Sequence, residues 1–221
     1  MFRKLIWRLV ALLFVLAAAP ASAAFNVFAS VPEWAALARE IGGERVNVSA
    51  ATNALQDPHR VDAKPSLNAR ARGAQLVLAT GAGLEVGWLP VVLRESGNAG
   101  IQPGQPGYLE AAGLVRLLEV PARLDRADGD VHPGGNPHLH LDPRNIQKVA
   151  DALAARLAQL DPAGAAVYKA NHARFSERWK AAMTAIGESV QVIGTKQYVR
   201  IYERVGDTGR YVPIPLDMVA V

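Results

Sequence analysis

Two short segments carry residues able to ligate a metal ion: Asp57-Pro58-His59, and Asn136-Pro137-His138-Leu139-His140-Leu141-Asp142-Pro143. Imidazole suits zinc and the neighbouring first-row metals, and a chain of 221 residues without cysteine points to nitrogen and oxygen ligands. Proline beside His59 and His138 limits the backbone freedom that a coordinating loop must lose when metal arrives. His59 and His138 are the candidate ligands. His140 lies two positions beyond His138, and in extended backbone residues two apart face one side. It is therefore a candidate third ligand, or a pocket wall supporting the other two. Asp57 and Asp62 could orient the His59 ring, because a ligating imidazole usually donates its other N–H to a carboxylate. Asp57 could equally close an Asx turn before Pro58. His132 reads as a solvated loop residue, with transient metal capture as its functional alternative, and His172 reads as an exposed or packing residue of a helix. Glu203, Asp207 and Asp217 are carboxylates without distinguishing spacing. Trp88 and Trp179 read as core.

The elements around these segments predict an α/β fold. Phe25 to Ala29, Val46 to Ala50, Gln75 to Thr80 and Val115 to Glu119 read as strands. Helices are expected from Pro32 to Ile41, from Pro65 to about Ala74 and from Leu84 to Arg94, and residues 102–107 form a Pro/Gly linker. Alternating strands and helices imply right-handed crossovers and a parallel sheet covered on both faces. Ligands of such sheets gather at the carboxyl ends of the strands, where His59 and His138 can meet. Asp142-Pro143 and Asp161-Pro162 are helix starts with Asp as cap and proline in the first turn. Ile146, Val149, Ala150, Leu153, Leu157 and Leu160 make one apolar stripe. Val167, Phe175, Trp179, Met183 and Ile186 continue into a second, long helix ending near Gly187.

Composition sets the compartment and narrows the partners. Arg3, Lys4 and Arg8 precede an apolar run from Leu9 to Ala19, and Ala21-Ser22-Ala23 supplies small residues for a signal peptidase, so residues 1–23 read as a cleavable signal peptide. The signal predicts a periplasmic protein, and the absence of cysteine predicts one that is not a lipoprotein. Three of the 24 basic residues and none of the 20 acidic ones fall in those first 23 positions. The remainder is near neutral, which gives no argument for nucleic-acid binding. Without disulfides the fold rests on its hydrophobic core.

The motifs resemble the solute-binding proteins of zinc and manganese ABC importers, the group whose two lobes are joined by a long rigid helix. The resemblance runs from about Phe25 to Ile186. It rests on Asp57-Pro58-His59 followed by Lys64-Pro65-Ser66, on Gly83-Leu84-Glu85-Val86-Gly87-Trp88, and on Pro137-His138 with Leu141-Asp142-Pro143-Arg144-Asn145. It implies that His59 and His138 are the first two metal ligands, and His140 stands where the family usually has Trp. It implies a monomer that captures a divalent metal and delivers it to the membrane permease of an ABC importer. Zinc, as transported ligand, is expected before manganese, because the identifiable ligands are imidazoles. Affinity should fall below about pH 6, near the unperturbed imidazole pKa of about 6.5. The family continues into a second α/β lobe with a third and a fourth ligand, and residues 190–221 hold no histidine and no segment alignable with that lobe. The expected organisation is a signal peptide (1–23), an N-terminal parallel-sheet α/β lobe (24–141), a helical connector (142–187) and a remnant or altered start of a largely missing second lobe (188–221).

Two rival functions arise from the same residues. His138-Leu139-His140-Leu141-Asp142 matches the beginning of the HxHxDH motif of metallo-hydrolases, whose open zinc position activates water. Pro143 stands where that motif needs its next histidine, and Asp142-Pro143 is already explained as a helix start. A carrier of metal chelates such as siderophores would want Arg or aromatic groups around an organic ligand, and the strand-end loops offer imidazoles instead. The protein is therefore expected not to be an enzyme.

Overall fold

The computed structural model describes residues 24–121, 123, 132–186, 190–194, 199–205 and 210–213. The expected signal peptide lies outside them. The chain runs β1 (Phe25–Ala29), α1 (Pro32–Gly42), β2 (Val46–Ala50), α2 (Pro65–Arg72), β3 (Leu76–Ala79), α3 (Leu89–Ser96), β4 (Tyr108–Glu110), α4 (Pro143–Leu160) and α5 (Ala165–Ile186). Strands β5 (Val190–Gly194), β6 (Val199–Val205) and β7 (Arg210–Pro213) come next. The first four strands form a parallel sheet in the order β2-β1-β3-β4, with Val27 opposite both Val48 and Leu76. The last three form a separate antiparallel sheet in chain order.

Alternation along β1 and β3 divides the interior into two cores, as a period of two requires. Phe25, Val27 and Ala29 with Leu76 and Leu78 face α1, α4 and α5, where Trp34, Ile41, Val149, Leu153, Leu157 and Tyr168 are buried. Phe28, Val77 and Ala79 face the other way, onto Leu67 and Ala71 of α2 and Val92 and Leu93 of α3. The stripe predicted for α4 is buried in the first core at Val149, Ala150, Leu153 and Leu157. At 22 residues α5 is about 33 Å long. It is tied to α1 and α4: Asn171 donates to the Ile41 carbonyl at 3.0 Å, Arg178 pairs with Glu40, and Trp179 donates to the Pro143 carbonyl at 3.1 Å. Asp161, before the α5 turn, accepts both prongs of the Arg45 guanidinium at 3.1 and 2.9 Å and the Tyr168 hydroxyl at 2.5 Å. Val167, counted among the apolar positions, points outward and is 39% exposed.

Two element assignments differ from expectation. The fourth strand is Tyr108–Glu110 and not Val115 to Glu119. Residues 115–119 cross the rim of the sheet instead, and the Leu118 carbonyl accepts the Asn136 amide at 2.8 Å. The helix expected from Leu84 begins only at Leu89, because residues 82–88 form turns around the inward-folded Glu85 side chain.

Candidate metal centre

The imidazoles converge at the carboxyl rim of the parallel sheet. The ring of His59 lies 5.1 Å from that of His132 and 5.6 Å from that of His138, centre to centre, and His138 lies 6.1 Å from His140. The two sequence segments thus meet as expected. His132 joins them, against its reading as a solvated loop residue, and its Nε2 lies 3.2 Å from Nε2 of His59. His172 stands apart, bonded to Asp151 at 2.7 Å.

Each ring is positioned by residues behind it. The loop after β2 is held by Trp88, whose indole N–H donates to the Pro58 carbonyl at 2.9 Å. Asp57 performs both roles expected of it: Oδ1 accepts the His59 amide at 3.0 Å, closing an Asx turn, and contacts His59 Nδ1 at 2.8 Å. The ring proton is thereby held on Nδ1, so the Nε2 lone pair faces the other imidazoles. Asp62 has no part in this, since its side chain is 87% exposed and faces Lys64.

Past β3 the backbone turns through Gly81, Ala82 and Gly83, all with positive φ (81°, 53° and 88°). Glu85, buried under this turn, accepts the amides of Thr80 at 2.8 Å and Gly81 at 3.0 Å. A side chain on Gly83 would come 3.1 Å from His132 Nδ1, so glycine there leaves room for that ring. Thr80 also accepts the Trp34 indole N–H at 3.0 Å, and Trp34 meets His140 edge to face with ring centres 6.1 Å apart.

The segment carrying His138 is pinned at three points. The Gly135 amide donates to the His132 carbonyl at 3.0 Å, Asn136 Oδ1 accepts the His138 amide at 2.9 Å, and Asn136 Nδ2 donates to Glu119 at 2.9 Å. After Leu139–Leu141, a single 3-10 turn, Asp142 caps α4 by accepting the Arg144 amide at 3.0 Å and pairs with the Arg144 guanidinium at 2.7 Å. The Asp142 side chain is thus committed to the helix start, as the Asp-Pro pair predicted.

Burial keeps the inner rings neutral. The His138 imidazole is pushed down to about 4, chiefly by desolvation and then by repulsion from His140, His59 and His132, with Asp57 opposing. His140 is pushed down by burial as well, against the pull of Glu33 and Glu85, and its buried Nδ1 has no hydrogen-bond partner among the described residues. The Asp57 carboxyl is held below its ordinary range by the His59 amide first and the His59 ring second. Neutral imidazole is the form that ligates metal. Among the described residues no group of three or more His, Asp or Glu side chains is gathered so as to hold one metal ion. Glu203 lies in β6, and Asp207 and Asp217 lie outside the described residues.

The zinc-uptake complex component A, periplasmic (ZnuA) family matches residues 27–203. The chain belongs to this family. It is 27% identical over 131 residues to the manganese-binding lipoprotein MntA of Halalkalibacterium halodurans, covering 59% of this chain and 38% of that protein. The metal ABC transporter substrate-binding lipoprotein ScbA of Streptococcus cristatus is 26% identical over 161 residues, 72% of this chain and 49% of its own. Among solved structures, a ZnuA deletion mutant with zinc bound superposes with a TM-score of 0.62 at 28% identity, covering 75% of this chain and 58% of that one. A manganese-bound periplasmic metal-binding protein from Candidatus Liberibacter asiaticus has the same fold, with a TM-score of 0.59 at 20% identity over 73% of this chain and 55% of that one. The chain thus spans about half the length of the relatives it matches, and the family is one of periplasmic uptake components rather than of enzymes.

Within the ZnuA family fold, the contribution of His132 is not evident from sequence, although a signal is present. His132-Pro133-Gly134-Gly135 has a proline and two glycines in positions that suit a reverse turn, and that turn folds His132 back on the site. Glu85 stands out in the sequence only through the family motif. Its burial follows from the need of the Thr80 and Gly81 amides for an acceptor once the chain leaves the sheet.

Proposed function

We propose that this chain captures a divalent transition metal in the periplasm, zinc before manganese, and hands it to the permease of an ABC importer. The observation that carries the reading is the meeting of His59 and His138 at the sheet rim, with Asp57 fixing the His59 tautomer and burial keeping His138 neutral. His59 and His138 are the ligands, and His140, whose buried Nδ1 has no partner among the described residues, is the third imidazole in reach. Residues 24–141 serve as the binding lobe and 142–187 as the stiff connector. Imidazole nitrogen favours zinc, whereas manganese would draw more carboxylate, and the relatives carry both metals in their names.

Both relatives MntA and ScbA are lipoproteins, whereas this sequence has no cysteine to accept a lipid. A protein free in the periplasm, acting as a monomer and without nucleic-acid partners, is the corresponding proposal. Hydrolysis is disfavoured because Asp142 is spent on capping α4 and on Arg144. Dialysis of the full chain against equimolar zinc and manganese, followed by metal analysis, tests the reading. Zinc retained near one equivalent with little manganese is expected. Manganese retained in preference, or no metal retained, would overturn it.

A further inference from the structure

We infer that His132 is itself a metal ligand, sharing one edge of the coordination sphere with His59. This rests on the proposed metal-binding function and adds a residue that neither the Asp-Pro-His nor the Asn-Pro-His motif contains. The two Nε2 atoms are 3.2 Å apart. Two nitrogens bound to one tetrahedral zinc at 2.0–2.1 Å are separated by about 3.3–3.4 Å, the edge of the tetrahedron. The pair therefore already stands at nearly the separation that a shared ion requires.

Asp57 Oδ1, 2.8 Å from His59 Nδ1, holds the ring proton on that side and leaves the Nε2 lone pair directed at His132. Without metal, His132 meets this lone pair as an N–H donor. With metal, a neutral His132 in its other tautomer presents a second lone pair to the same point. Exchange between the two costs a proton shift within one imidazole.

The surroundings seat His132 where this chemistry needs it. The turn that bonds the Gly135 amide to its carbonyl folds the chain back over the rim, and Gly83 leaves space against Nδ1 of the ring. His132 and His138 lie on one short segment anchored by Asn136, so an ion held by His59 and His132 draws on the segment that carries His138. Three imidazoles then come from residues preceding α4. An all-nitrogen set of this kind favours zinc over manganese more strongly than a pair completed by carboxylates.

The test uses the full chain loaded with zinc, with His132→Ala, His59→Ala and His172→Ala variants. Affinity is read by competition with a chromophoric chelator, and bound imidazoles are counted by X-ray absorption. His132→Ala is expected to lose one imidazole from the count and to weaken zinc by at least about ten-fold, the low end for support around a metal site. His172→Ala, remote from the cluster, should change neither reading. An imidazole count that stays the same in His132→Ala would overturn the inference even if affinity falls, because His132 would then only position His59. Wild-type affinity retained in His132→Ala but lost in His59→Ala would overturn it too, and would leave the metal-carrier function standing. Failure of the wild-type chain to bind zinc at all would remove both.

Discussion

Replacing Asp57 isolates the contribution of the group behind the first ligand. Its carboxylate makes two bonds, one to the His59 ring at 2.8 Å and one to the His59 amide at 3.0 Å. A hydrogen bond between charged and neutral partners is worth about 1.5–3 kcal/mol when shielded from water. The Asp57 side chain is 53% exposed, so solvent screening brings the ring bond down to about 1–1.5 kcal/mol. Asp57→Asn keeps an oxygen for the turn but removes the charge, which should weaken zinc by about ten-fold at 1.4 kcal/mol per decade. Asp57→Ala also forfeits the turn acceptor, a further ~0.5–1 kcal/mol, for roughly 30-fold in all. The assay is competitive zinc titration at pH 7.5, with Asp62→Asn as control because that side chain is 87% exposed. Affinities of both Asp57 variants indistinguishable from wild type would refute the reasoning that this carboxylate fixes the His59 lone pair.

Other outcomes arise from the packing and the charges. Glu85→Ala leaves the Thr80 and Gly81 amides without their acceptor and should lower stability by about 2–4 kcal/mol, read as a drop in the urea midpoint. Asp142→Ala removes the α4 cap and should cost about 1 kcal/mol in thermal unfolding while leaving zinc affinity near wild type; loss of zinc binding would return Asp142 to the site. For the metal-free protein, His138 is held down to about 4 when folded, below its value of about 6.5 when unfolded, so the unfolded chain takes the proton first. Its stabilising contribution is complete above about pH 6.5 and is lost as pH falls toward 4. The melting temperature should decline over that window, and less steeply in His138→Ala, whereas equal slopes would contradict the assignment.

Much of the α/β framework is legible in the sequence because its signals are local. β3 is a short apolar run, β1 and β2 carry β-branched or aromatic residues interrupted by polar ones, and the apolar stripe of α4 comes after an Asp-Pro start, so each announces its own type. β4 is hidden because a three-residue edge strand directly after a Pro/Gly stretch carries almost no periodic signal, and only Leu109 of it is buried. Val115 to Glu119 looks more like a strand by composition. Its hydrogen bonds go to the segment bearing His138, a pairing that depends on where residues far apart in sequence come to lie.

The candidate site divides in the same way. His59, His138 and Asp57 are readable from their motifs because the chemistry sits within three residues of a proline. Trp88 reads as core, and it is buried, but its indole N–H bond to the Pro58 carbonyl links two loops that no local pattern connects. His132 is marked only by the turn signal Pro133-Gly134-Gly135, which does not say what the turn folds against, and the fold of the rim brings it to His59.

Everything proposed for this protein depends on His59 and His138 holding the metal together. Calorimetric zinc titration of the full chain beside the His59→Ala, His138→Ala double variant tests that assignment. Saturable binding near one equivalent is expected in the wild type and its loss in the double variant, with both proteins melting cooperatively without metal. Equal binding by the two proteins would contradict the assignment, since the ion would then be held by residues elsewhere in the chain.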